Sequence, residues 1–86
     1  MAGVDVRQAF GRRVRELRLR QKLSQEALAE RADLHWTYVS GIERGERNPA
    51  LINLTYLARA LDVSLGELFA PVNGSPPKKA ARRGKH

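Results

Sequence analysis

The stretch QEALAERADLHWTYVSGIER, Gln25 to Arg44, decides the fold. Leu28, Ala32, Leu34, Val39 and Ile42 are spaced so that two short helices close one shared apolar core. Ala29 stands where they cross, a place at which a larger side chain would force them apart. Ser24 supplies an N-cap, and Glu26 puts a carboxylate in the first turn, where the helix dipole favours it. The first helix of the pair is therefore expected over about 25–32. Asp33 then occupies a sharp turn, and Asp tolerates left-handed backbone better than most residues other than Gly and Asn. The second helix is expected over about 36–44, with His35 in the N-cap place and Gly45 as its stop. Winding at about 100° per residue puts Val39 and Ile42 on one side of it. Trp36, Thr37, Ser40, Gly41 and Arg44 fall on a continuous arc on the other.

Working outward, Asp5 and Gln8 form a capping-box pattern, and Phe10, Val14 and Leu17 recur at helical spacing up to about Lys22. On the other side, Arg47-Asn48-Pro49 is a turn whose proline suits a place at or near the first position of the next helix. That helix, about 50–61, has Leu54, Leu57, Ala58 and Leu61 as its apolar stripe. Ser64 to Glu67 is a second capping box, opening a short fifth helix that ends near Phe69. The expectation is one all-α domain of about five helices over residues 5–70, with no strand pattern, repeat or heptad array. After Val72 no apolar residue larger than alanine remains, so residues 71–86 are expected to form a disordered basic tail. Two roles fit that tail, a solubilising extension and a nonspecific DNA-binding arm.

A formal charge of +7 and a pI near 10.8 call for an acidic partner, and nucleic acid is the commonest one for a small basic domain. Five of the 16 lysines and arginines (Lys78, Lys79, Arg82, Arg83 and Lys85) lie in the tail, which leaves 11 against nine acids. Seven of those 11 fall between Arg7 and Lys22, so the domain has a basic flank rather than a uniform positive charge. Cysteine is absent, which removes disulfides and thiolate metal sites and fits a reducing cytoplasm. No apolar run approaches the roughly 20 residues that span a bilayer, and no signal-peptide core opens the chain. A cytoplasmic protein without membrane contact is expected. The sequence offers no Gly-rich phosphate loop, His-Glu-x-x-His, Cys nucleophile or carboxylate pair, so no enzyme, metal or cofactor is expected either.

Leu23-Ser24-Gln25 with Leu28-Ala29, the run Ser40-Gly41-Ile42-Glu43-Arg44-Gly45, Asn48-Pro49, and Leu57-Ala58-Arg59-Ala60-Leu61 leading to Val63-Ser64 occur in register over about 45 residues. In these features the chain resembles the phage-repressor-like helix-turn-helix family of bacterial and phage regulators. Residues 34–48 most resemble the controller proteins of restriction-modification systems. The resemblance implies that Gln25 holds a phosphate at a helix N-terminus, and that Trp36, Thr37, Ser40 and Gly41 face the bases. Arg44 and the Arg47-Asn48 turn match positions near the DNA backbone, and Arg44 is also long enough to reach a base edge. Arg18 and Glu43 match a pair that ties the first helix to the third. Asp33 stands where Gly is usual, and Trp36 stands where a polar or basic residue is commoner. Trp can stack on a sugar or touch a thymine methyl, but it cannot make the bidentate guanine contact of Arg.

These features imply a sequence-specific regulator that binds double-stranded DNA, with the third helix in the major groove. A module this small reads few base pairs, so a homodimer on a palindrome is expected, with half-sites about 34 Å apart. Ile52 and Tyr56 on the fourth helix, near Phe69 and Val72, offer a dimer surface. With no sensor domain after the reading helix, no small-molecule effector is expected, and control of the protein's own operon is one fitting role. Two other functions fit the same residues. One is an antitoxin or adaptor that represses its operon and binds a partner protein. The other is charge-driven coating of nucleic acid. Trp36 can equally serve a protein contact, and Gly41, which costs a helix about 1 kcal/mol relative to Ala, is explained by close DNA approach or by simple tolerance.

Overall fold

The computed structural model describes residues 5–71, which form five helices and no strands. They are α1 (Val6–Arg20), α2 (Gln25–Ala32), α3 (Trp36–Glu43), α4 (Leu51–Leu61) and α5 (Leu65–Leu68). Four of the five helices begin for a local reason. Asp5 accepts from the Arg7 amide, Ser24 from the Ala27 amide, and His35 Nδ1 from the Thr37 amide. Ser64 and Glu67 form a reciprocal capping box at α5. The Gln8 arm of the box expected at α1 serves another purpose, for its Cγ packs over Gly45. At α4 the helix starts at Leu51, within a residue of the start expected near 50. Pro49 precedes the N-cap Ala50, whose side chain makes no cap bond. A tertiary partner compensates, because the Tyr38 hydroxyl accepts from the Ala50 amide at 3.3 Å and from Asn53 Nδ2 at 3.1 Å.

The first four helices end in one way. Lys22, Asp33, Gly45 and Asp62 all take the left-handed conformation, with φ between 58° and 78°. The amide of each following residue then reaches back five positions: Leu23 to Arg18 O, Leu34 to Ala29 O, Glu46 to Gly41 O and Val63 to Ala58 O. This double-bonded stop satisfies carbonyls that a bare helix end leaves open. The turn at Asp33 and the stop at Gly45 fall where the sequence places them, Asp62 is a second Asp in the same left-handed role, and Lys22 carries no turn signal that distinguishes it from its neighbours.

Val14, Leu17, Leu28, Val39, Ile42, Leu57, Leu61 and Leu68 are buried in one core, with Ala29 and Ala32 where α2 meets its neighbours. Leu34 and Leu54 pack against that core half-buried. Two polar links fix α1 to the C-terminal helices: Arg13 Nε donates to Glu67 O at 2.9 Å, and Gln21 Nε2 donates to Leu61 O at 2.6 Å. Against α3 the approach of α1 is closer still. A Cβ on Gly11 would collide with the Ile42 carbonyl oxygen and lie 2.7 Å from the Glu43 carbonyl oxygen, and both are backbone atoms that cannot swing away. Gly11→Ala is therefore expected to destabilise the fold by roughly 1–3 kcal/mol. The same change in an unobstructed helix stabilises by about 1 kcal/mol, so urea unfolding decides by the sign alone.

Candidate DNA-binding site

The end of α3 nearest α1 is organised by a buried carboxylate. Glu43 receives Arg18 Nε at 2.6 Å on Oε2 and Arg18 Nη2 at 2.9 Å on Oε1. Gln25 Nε2 adds a third bond to Oε1 at 3.0 Å, and the remaining arm of Arg18 donates to Leu23 O at 2.8 Å. The two charged side chains are only 8% and 3% exposed. One ion pair thus joins α1, the turn before α2, the first residue of α2 and the last of α3. Its position also directs Gln25. An amide nitrogen carries two hydrogens, so one serves Glu43 and the other is left for a ligand at the N-terminus of α2.

The outer face of α3 is less bare than a helical projection suggests. Trp36 is 46% exposed at its start. Thr37 is exposed, but its hydroxyl lies 2.8 Å from His35 Nδ1, the nitrogen that also caps the helix. Ser40 and Gly41 are buried. Arg44 Nη1 donates to Ser40 Oγ, and Arg44 Nη2 donates to Glu46 Oε1 at 3.0 Å. The aliphatic part of Arg47 covers Gly41 so closely that a Cβ there would stand 2.7 Å from Arg47 Cγ. The Arg47 guanidinium lies 5.6 Å from the centre of the Tyr38 ring, within cation–π range. Asn48 is exposed beside them. Gly41 is thus the shallow floor on which Arg47 rests, and two arginines, Arg44 and Arg47, form the outermost layer over Ser40 and Gly41.

Tyr38 and Glu46 belong to this site although residue type alone does not single them out. Tyr38 supports Arg47 with its ring and the start of α4 with its hydroxyl. Glu46 sits between two cations: the hydrogen bond and charge of Arg44, with a smaller contribution from Arg47, hold its carboxyl below the usual range. Reciprocally, Glu46 raises the Arg44 guanidinium above its ordinary value.

Residues 14–68 match the helix-turn-helix protein family. The chain belongs to that family. Helix-turn-helix relatives cover most of its length. The control protein C.BamHI of Bacillus amyloliquefaciens is 42% identical over 78 residues, spanning 87% of this chain and 96% of its own. The control protein C.MunI of a Mycoplasma species is 41% identical over 79% of this chain and 93% of its own. Among solved structures, the restriction-modification controller protein C.AhdI from Aeromonas hydrophila superposes with a TM-score of 0.71 at 50% identity, covering 72% of this chain and 94% of that one. The resemblance to restriction-modification controllers read from residues 34–48 therefore extends over most of the chain. This helix-turn-helix protein is a DNA-binding regulator by family, and its α2 and α3 are the paired helices.

The helix-turn-helix frame depends on the Arg18–Glu43 pair. Arg18→Met strands a buried carboxylate and is expected to cost about 3–5 kcal/mol, whereas Arg18→Met combined with Glu43→Leu should recover most of that loss. Denaturant midpoints of the two variants test this, and equal losses would show that the pair is not the tie described.

Proposed function

We propose that the chain is a sequence-specific transcription regulator that binds double-stranded DNA as a homodimer on a palindromic operator. The observation that carries this reading is the rigid presentation of α3: its inner face is locked by the Glu43 ion pair, its outer face turns Trp36 and Thr37 toward solvent, and Arg44 and Arg47, just beyond its end, lie exposed over that face. Residue roles divide accordingly. The second hydrogen of Gln25 Nε2 and the first amides of α2 suit a phosphate, a contact that positions without reading. Arg44, Arg47 and Asn48 stand where backbone and groove edge meet. Trp36 and Thr37 reach base edges directly, while Ser40 and Gly41 act through the arginines seated on them. No catalytic or effector role is part of this reading, and a cytoplasmic protein fits it. Among the described residues no helix is long and apolar enough to cross a membrane.

The dimer reading draws on exposed apolar surface. Ile52 is 56% exposed on α4, one turn from the half-buried Tyr56. Phe69, 55% exposed, stacks on Phe10 with ring centres 5.2 Å apart beside an open apolar groove that also takes in Val6 and Leu54. Exposed apolar surface of this kind suits an interface with another protein chain. Val72 and the basic tail expected over 71–86 lie outside the described residues, apart from Pro71. The relatives named as restriction-modification controllers support an autoregulatory role within such a system.

In vitro selection of bound duplexes is expected to return a palindrome with half-sites about one helical turn apart. Thr37→Ala should alter the preferred bases, whereas Gln25→Ala should weaken all sites about equally. Equal competition by scrambled duplex in about 150 mM salt would instead indicate charge-driven coating. Sedimentation at micromolar concentration should find a dimer that Ile52→Glu dissociates. A monomer with and without operator rules the dimer out.

A further inference from the structure

The end of α3 breaks a pattern set by the other helix stops. After α1, α2 and α4, the residue following the left-handed one is aliphatic (Leu23, Leu34 and Val63), and each packs back against the core. An apolar residue is the usual companion of this stop. After Gly45 it is Glu46, whose side chain is 61% exposed. Its carboxylate draws Arg44 along the outer face of α3, where the other arm of the same guanidinium donates to the buried Ser40 hydroxyl. Arg44 has two acceptors in the free protein before any DNA arrives. The neighbouring cation, Arg47, is engaged with Gly41 and Tyr38 and acts on Glu46 by charge alone.

We infer that Glu46 is an internal substitute for DNA, a specificity-determining residue that occupies Arg44 until a duplex offers a better acceptor. The inference rests on the DNA-binding reading above. On a nonspecific duplex the available acceptors are phosphates, and exchanging a carboxylate for a phosphate on an exposed guanidinium gains little. Arg44 then stays with Glu46, and the nonspecific footprint is smaller by one cation. On a site that places guanine O6 and N7 within reach, the guanidinium gains a bidentate partner in the groove, and Glu46 is left to solvent. Glu46 thus lowers affinity for the wrong sequence more than for the right one. That form of discrimination works by withholding an attractive contact rather than adding a repulsive one.

The test compares wild type, Glu46→Gln, Arg44→Met and the double variant on a selected duplex and on a scrambled duplex of equal length, each over a range of salt. Glu46→Gln is expected to tighten binding to the scrambled duplex by a few-fold per protomer. It should also steepen the salt dependence by about one phosphate contact per protomer and narrow the ratio between the two duplexes. In the Arg44→Met background the same change should have no such effect. A gain of equal size with and without Arg44 means that Glu46 merely repels phosphate, and the inference is overturned. It is equally overturned if Glu46→Gln leaves wild-type binding unchanged. A second arm needs no DNA: NMR titration of the Glu46 carboxyl should give a lower midpoint in the free wild type than in Arg44→Met, and equal midpoints overturn the tether. If the tether is present and no duplex of either kind binds, the DNA-binding reading has failed, and this inference with it.

Discussion

Everything about the direction in which α3 points depends on one buried carboxylate. Helices of eight residues have little intrinsic stability in water, and the two paired helices here are both of that length. The apolar contact between them is correspondingly small and, being non-directional, holds them together without setting their angle. Glu43 supplies the missing direction. It collects both forked nitrogens of Arg18 and the amide of Gln25, while Arg18 also secures Leu23 O. The arrangement satisfies the charges it buries, and such a pair is tolerated only when its geometry is this complete. Gly11 adds the complementary constraint, because it lets α1 come close enough to α3 for the fork to close.

The connections are the second source of rigidity. Four helices end on the same left-handed stop, and at three of them an aliphatic residue turns back into the core. Each turn is closed by its own backbone bonds, and those three also by a half-buried aliphatic side chain. Rotamer changes at Arg44 and Arg47 are therefore easier than any shift of α3.

Much of this was legible in the sequence, and the reasons are local. Ser24, Asp33, Gly45 and the Ser64–Glu67 box act on atoms within a few residues of themselves, so their chemistry marks the ends of α2, α3 and α5 directly. Apolar spacing placed Val39 and Ile42 inward for the same reason. The outer face of α3 was harder. A helical projection gives the direction of a Cβ but not what lies over it, and Ser40 and Gly41 point outward yet are covered by arginines four and six residues later. The support for the start of α4 was hidden similarly, since it is the hydroxyl of Tyr38, 12 positions upstream of the amide it binds. Lys22 offers no comparable local signal for its left-handed backbone, and Leu23 behind it packs against the core, a contact that lies in the tertiary structure.

Trp36 stands apart from these contacts. It is the only tryptophan in the chain, and it is about half exposed at the first position of α3. The indole emission of this protein therefore originates at a single point, the leading end of the helix proposed to enter the groove. Whatever settles there changes the polarity around one ring, so the unmodified chain carries its own optical probe where occupancy needs to be observed.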